Sequence, residues 1–456
     1  MKKLFLSLAA MIFAATVLTS CDKEDDTTPM NNNNIPVEKN IVQLAQENGF
    51  NSLAEALVRA DLISALEADG SFTVFAPTDE AFDALLSIIG QESIQDVPVA
   101  VLQQILLYHV VPATVMSTEI TTGGVTTLQG SEITLDLMDG VMVNDATVQT
   151  PFDVKASNGV IHSVDQVLVP AAIGQFVNTI LEPAYFNNNF TTLIAAAAKA
   201  DLVQTLLNTP DLSIFAPSNS AFDAAGIVVA DTDKETLASV LTYHVVGAKV
   251  MSNEIPRDAA TVNGNMLYFS LTESGAYING NTMISAVDIE SGSGVVHVIN
   301  QVLLPPSGNI VSTAVALAEQ GQFTSLVAAL TRTANEGSEA QNLINVLNGD
   351  GPFTIFAPTN DAFLQLLDSK EEWSTLGDIP LETLVSVLTY HVVPARAYDK
   401  DLATALENGE LPTAAGQNIS IDLSNLTINN NATIIDVNIN TTNGVIHLID
   451  SVLLPN

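Results

Sequence analysis

The sequence predicts an α+β protein in which one domain-sized unit is written three times. Three observations carry this. A strand-like block ending in Ala-Pro recurs at Phe72–Pro77, Leu212–Pro217 and Phe353–Pro358. A Tyr-His-Val-Val block follows each, at Tyr108-His109, Tyr243-His244 and Tyr390-His391. Within every copy, helix-period segments come first and alternating segments later, the pattern of an α+β fold rather than of βαβ units. A repeat of this length is domain-sized, so each copy buries its own core.

The elements of the first copy follow in order. Leu53–Val58 and Leu62–Leu66 carry apolar residues at helical spacing. Phe72–Phe75 is short, aromatic and β-branched, and reads as a strand. Pro77 stops it, because proline offers no N–H to a ladder. Thr78 or Asp79 then caps a helix carrying Ala81, Phe82 and Leu85. A further helix runs over Val99–Tyr108. Ile133–Leu137 and Val141–Val143 alternate and read as strands. Asn158-Gly159 signals a hairpin before the last strand. That strand opens the third recurring block: Gly159-Val160-Ile161-His162, Gly294-Val295-Val296-His297 and Gly444-Val445-Ile446-His447.

The order of these blocks resembles the fasciclin (FAS1) domain, in three tandem copies covering most of the chain. The resemblance implies a β-wedge with a packed helical layer in each copy. It also implies secreted or surface proteins acting in adhesion, mostly without enzymatic activity. The third copy is longer before its strand, with the polar stretch Thr331–Ala340, and Gly247 stands where the other copies have Pro112 and Pro394.

Residues 1–20 read as a lipoprotein signal peptide. Lys2 and Lys3 precede an uncharged stretch from Leu4 to Leu18, too short to span a bilayer. Leu18-Thr19-Ser20-Cys21 resembles a bacterial lipobox, with Cys21, the single cysteine, as the lipidated first residue. Residues 21–35, acidic and Asn-rich, form a flexible tether. Lys23-Glu24-Asp25 resembles the acidic export signal of some bacterial surface lipoproteins, which implies an outer-membrane protein facing outward. Domains then fall at 36–171, 172–306 and 307–456, with breaks at Pro170–Gly174 and Pro305–Asn309.

Composition narrows the function. With 51 Asp+Glu against 14 Lys+Arg, the net charge is −37. That excludes nucleic acid, whose phosphates need cationic partners, and leaves the lipid as the only membrane attachment. One cysteine leaves no intramolecular disulfide. No HExxH, GxSxG, P-loop or GxGxxG is present, so no enzyme and no cofactor are predicted. Asp231-Thr232-Asp233-Lys234-Glu235 lacks the turn glycine of a calcium loop and reads as an acidic helix start. Carbohydrate platforms need aromatics, which are 5% of residues with one tryptophan, Trp373.

All six histidines fall in the recurring blocks, two per copy: His109 with His162, His244 with His297, His391 with His447. The first of each pair continues the apolar stripe of its helix, as in Leu102, Ile105, Leu106, His109, and sits where an imidazole meets free carbonyls. The second alternates with apolar strand residues. A structural role and a histidine metal pair are the two readings, and the structural one is preferred, with no metal site assigned. Tyr108, Tyr243 and Tyr390 lie beside the stripe as packing residues. In animal members the resemblance ties the Tyr-His block, and an Asp-Ile pair nine residues before the second histidine, to integrin binding. Here the second copy keeps that pair as Asp288-Ile289, a candidate adhesion contact; the others have Asp153-Val154 and Asn438-Ile439. A bacterial lipobox argues against carrying integrin binding over.

The predicted function is non-enzymatic adhesion at the cell surface. Its partners would be a cell-surface or matrix protein or a polysaccharide, with divalent cations bridging carboxylates. An accessory carbohydrate-binding lipoprotein of a glycan-uptake system, or a passive envelope spacer, are the alternatives.

Overall fold

The computed structural model describes residues 39–138, 140–406 and 409–455; the predicted leader, Cys21 and the tether lie outside them. Among the described residues no helix is long and apolar enough to cross a membrane.

Helices at Ile41–Glu47, Asn51–Arg59 and Ile63–Glu67 open the first domain. Strand β1 (Phe72–Pro77) follows, then helices Asp79–Ile88 and Val99–Tyr108. The remaining strands are β2 (Val110–Val111), β3 (Gly123–Thr126), β4 (Glu132–Asp136), β5 (Met142–Val143), β6 (Ala146–Ala156) and β7 (Gly159–Val164). They form one sheet in the order β2-β1-β7-β6-β5-β4-β3, and the same order recurs in two further sheets. Each domain is therefore α+β, as the pattern predicts. Only β1 and β7 pair in parallel, from Phe72 opposite Gly159 to Pro77 opposite Val164. This pairing brings the Ala-Pro block and the second-histidine block side by side.

The alternation of β1 separates two cores. Val74 and Ala76 face the helical layer with Leu102, Ile105 and Leu106. Phe75 faces the other way, into a core of Ile133, Leu135, Val143 and Val164. Tyr108, at the end of its helix, reaches across into that second core. The buried apolar residues of the first and second helical layers form one continuous cluster, while the third layer has its own.

Local chemistry explains the joints. Thr78 is the cap, its Oγ1 accepting the Ala81 N–H at 3.2 Å; Ser218 and Thr359 do the same for Ala221 and Ala362. Asp79 instead accepts the Ser52 N–H at 2.8 Å, tying the second helix to the strand end, and Asn219 and Asn360 repeat this toward Thr192 and Ser325. Gly159 has to be glycine: a Cβ there would lie 2.1 Å from the Phe72 carbonyl oxygen.

Asn158, in the β6–β7 turn, accepts the Ile41 N–H and donates to the carbonyls of Leu66 and Ala68. Asn443 holds Ile310 in the same way. Ser293 stands there in the second domain, and the opening helix is replaced by two four-residue helices at Ala171–Gly174 and Glu182–Tyr185. The polar stretch of the third copy is largely helix: Thr324–Glu336 runs through it, with Thr333 fully buried.

Candidate functional site

The recurring blocks converge at one place in each domain, where the helix end, the parallel strand pair and the β6 bulge meet. His109 caps the helix Val99–Tyr108. Its Nδ1 lies 2.8 Å from the Ile105 carbonyl oxygen, and the backbone N–H of Leu168 donates to its Nε2 at 2.8 Å. An N–H donor on Nε2 leaves the ring proton on Nδ1, so the imidazole is neutral. His244 makes the same pair of bonds with Val240 and Leu303, and His391 with Val387 and Leu453. Burial lowers all three to about 4, against the opposing effect of the carbonyl bond.

The second histidine carries the opposite tautomer. His162 Nε2 donates to the Val115 carbonyl at 2.9 Å, and its Nδ1 accepts the Asp153 N–H at 3.3 Å. His297 does this between Val250 and Asp288, and His447 between Ala397 and Asn438. Burial lowers His447. Every ring nitrogen is thus held by backbone, and no lone pair is left for a metal without breaking a buried bond. Among the described residues no group of three His, Cys, Asp or Glu is placed to hold a metal ion.

The tyrosines pack and also bond. Tyr108, Tyr243 and Tyr390 donate their hydroxyls to the carbonyls of Glu132, Met266 and Asn418 at 2.9–3.0 Å. Each hydroxyl in turn accepts from an asparagine: Asn144, Asn279 or Asn429. These asparagines, all at positive φ, escape a reading from motifs. The signal available was their recurrence at a near-constant distance after each tyrosine.

The Asp-Ile position sits on a β-bulge, with Asp153, Asp288 and Asn438 all at positive φ. Asp288 accepts from the N–H of Ser252 at 2.7 Å and its Oγ at 2.5 Å, and these bonds hold its carboxyl below the usual range. Asp153 binds Ser117 in the same way; burial raises it, and the Ser117 bonds outweigh that. Ile289 is half-buried against the helical core. In the third domain the roles are exchanged. Asp399 replaces the serine, and Asn438 Nδ2 donates to its Oδ1 at 2.6 Å while Asn438 Oδ1 accepts its N–H.

Two other sequence features resolve simply. Asp233 N-caps the helix Lys234–Tyr243 by accepting the Thr236 N–H. Trp373 packs against the third helical core.

Residues 48–170, 188–305 and 321–455 each match the family described as Fasciclin domain. Human periostin is 27% identical over 90% of this chain and 46% of its own length. Pig transforming growth factor-beta-induced protein ig-h3 is 27% identical over 92% of this chain and 58% of its own. This chain spans about half the length of these relatives. A protein of Synechocystis, sll1483, is 45% identical over 28% of this chain and 73% of its own. Among solved structures, a FAS1 domain pair from the insect cell adhesion molecule Fasciclin I is 18% identical, with a TM-score of 0.28, over 58% of this chain and 95% of that one. With three tandem matches laid over three copies of one sheet topology, the chain belongs to the fasciclin domain family.

Proposed function

We propose that this protein is a non-enzymatic adhesion protein, held at the outer face of a bacterial envelope by lipid on Cys21. One observation carries the reading: the recurring polar residues are spent inside each domain, holding helix end to strand to bulge. What three such copies offer to a partner is outer surface, displayed in tandem. A weak contact made three times on one anchor gains strength through effective concentration. The Asp288-Ile289 bulge belongs to that surface as a contact, its carboxylate already fixed by Ser252.

The partner is a cell-surface or matrix protein or a polysaccharide. The net charge of −37 repels an anionic surface over about a Debye length, ~8 Å at physiological salt. Millimolar Ca²⁺ should therefore strengthen attachment by screening and by bridging carboxylates.

The test is retention on homotypic cells of beads coated with residues 36–456, 172–456 or 307–456. Retention should fall more than proportionally as domains are removed. Equal retention for all three, or none with calcium present, would sink the adhesion reading and favour a passive spacer.

A further inference from the structure

The three domains share their motifs, and four departures from the shared pattern gather at one place. Four residues after Pro112 or Gly247 the first two domains carry Met116 and Met251, where the third has Tyr398. Two residues before these methionines stand Thr114 and Lys249, where the third domain has Arg396. Where the positive-φ asparagine accepts a strand N–H, that strand residue is Thr134 in the first domain, Ser420 in the third and Tyr268 in the second. The short turn at Ser117–Glu119 or Ser252–Glu254 becomes the helix Asp399–Ala405.

These departures meet across the boundary between the second and third domains. The Arg396 guanidinium lies over the Tyr268 ring, 4.0 Å from its centroid. Arg396 also donates to the carbonyls of Thr441, Thr442 and Gly444, so the hairpin of its own domain fixes it. Asn438 Nδ2 reaches Asn281 at 2.7 Å. Beside this joint lies a cleft of about 510 Å³, within the range of small-molecule sites.

The cleft's chemistry is mixed. Tyr268 of one domain and the exposed Pro352 and Pro394 of the other give it apolar surface, with Phe269 buried behind them. Arg257, Asp258 and Asp350 line it and are exposed, and among the described residues their side chains make no hydrogen bond. Half-buried Asp401 accepts the Tyr398 N–H at 3.3 Å; burial raises its carboxyl, against the pull of Ser270, Tyr398 and the charge of Arg257. Two of the chain's four arginines are here, so a strongly acidic molecule is nearly balanced at this point.

We propose that this interdomain cleft binds a short neutral oligosaccharide. Sugar hydroxyls both donate and accept, which suits carboxylates facing a guanidinium. Sugar C–H faces suit the exposed proline walls. The carboxylates disfavour an anionic ligand, the guanidinium groups a cationic one, and the open polar groups a purely apolar one. The proposal goes beyond the adhesion reading and is tested apart from it.

The experiment titrates the full chain with maltotetraose, cellotetraose, xylotetraose and mannotetraose, read by saturation-transfer NMR and calorimetry. At least one should bind at millimolar concentration or below. Arg257→Ala and Asp350→Ala, both at exposed positions, should each weaken binding about tenfold with an unchanged melting temperature. Asp145→Ala, far along the sequence in the first domain, should leave binding unaltered. No binding by any of the four, or equal binding in wild type and both cleft variants, overturns the proposal. Binding of hexalysine in place of the sugars, lost at high salt, also overturns it and assigns the cleft to a cationic peptide. Bead retention measured on the same variants reports on adhesion independently.

Discussion

The backbone N–H of Leu303 donates to Nε2 of His244 at 2.9 Å, joining the end of a helix to the segment that follows the last strand of the same domain. The same bond joins Leu168 to His109 and Leu453 to His391. One imidazole thus satisfies a buried amide and a buried carbonyl far apart in sequence.

Replacing His244 with alanine orphans the Leu303 amide and the Val240 carbonyl and leaves a void. The second domain should lose about 1–3 kcal/mol, measured by urea unfolding. Zinc should leave the melting temperature of the wild type unchanged, since both ring nitrogens are occupied. A zinc-dependent rise that disappears in the variant would establish the metal reading instead.

Acid should weaken each domain in a defined window. His109, His244 and His391 sit at about 4 folded against 6.5 unfolded, so between those values the unfolded chain binds more protons. Their contribution is complete above about pH 6.5, falls as pH drops, and is gone below about 4. At ~1.36 kcal/mol per unit the shift is worth roughly 3 kcal/mol per domain. Unfolding free energies at pH 7, 5.5 and 4.5 should decline in that order; a flat profile would contradict buried neutral imidazoles.

Asn438→Asp sets a second carboxylate against Asp399, where an amide now donates. The third domain should lose roughly 1–3 kcal/mol. Adding Asp399→Ser rebuilds the serine–aspartate pair of the other two domains and should recover much of the loss. A double-mutant cycle with no coupling would show that the two residues act independently.

Gly280 has φ +77°, and a Cβ on it would lie 2.5 Å from Asn438 Nδ2 and 2.8 Å from Tyr398 Cβ. Gly280→Ala should destabilise the second domain by about 1–2 kcal/mol through the left-handed backbone. It should also open the joint, read as faster proteolysis near residues 305–309 and faster amide exchange in Asp399–Ala405. Unchanged cleavage and exchange would mean the joint does not depend on this close approach.

Cys21→Ala should move the protein from the membrane fraction to the soluble one. Continued membrane association in detergent-free buffer would contradict lipid anchoring. Protease shaving of intact cells separately tests the outward face, since an uncut protein would be periplasmic.

From the residues alone, the sequence established the repeat, the α+β class and the main helices and strands of the first copy, because apolar periodicity, the proline stop and the hydroxyl cap are local signals. It also placed the first histidines on their helical stripes, since i, i+3, i+4 spacing fixes a face. It left the cap between Thr78 and Asp79, because either side chain can accept an amide there. Only the tertiary structure turned Asp79 toward Ser52 and paired β1 with β7 in parallel. Only it set the two histidines of each domain in opposite tautomers, since a ring proton is decided by which backbone group arrives at each nitrogen. The exchange of Ser252–Asp288 for Asp399–Asn438 was visible as letters, but its meaning needed both partners in place. The joint at Tyr268 and Arg396 was invisible for the same reason: a cation over a ring is a relation between surfaces, and no local pattern in either segment encodes it.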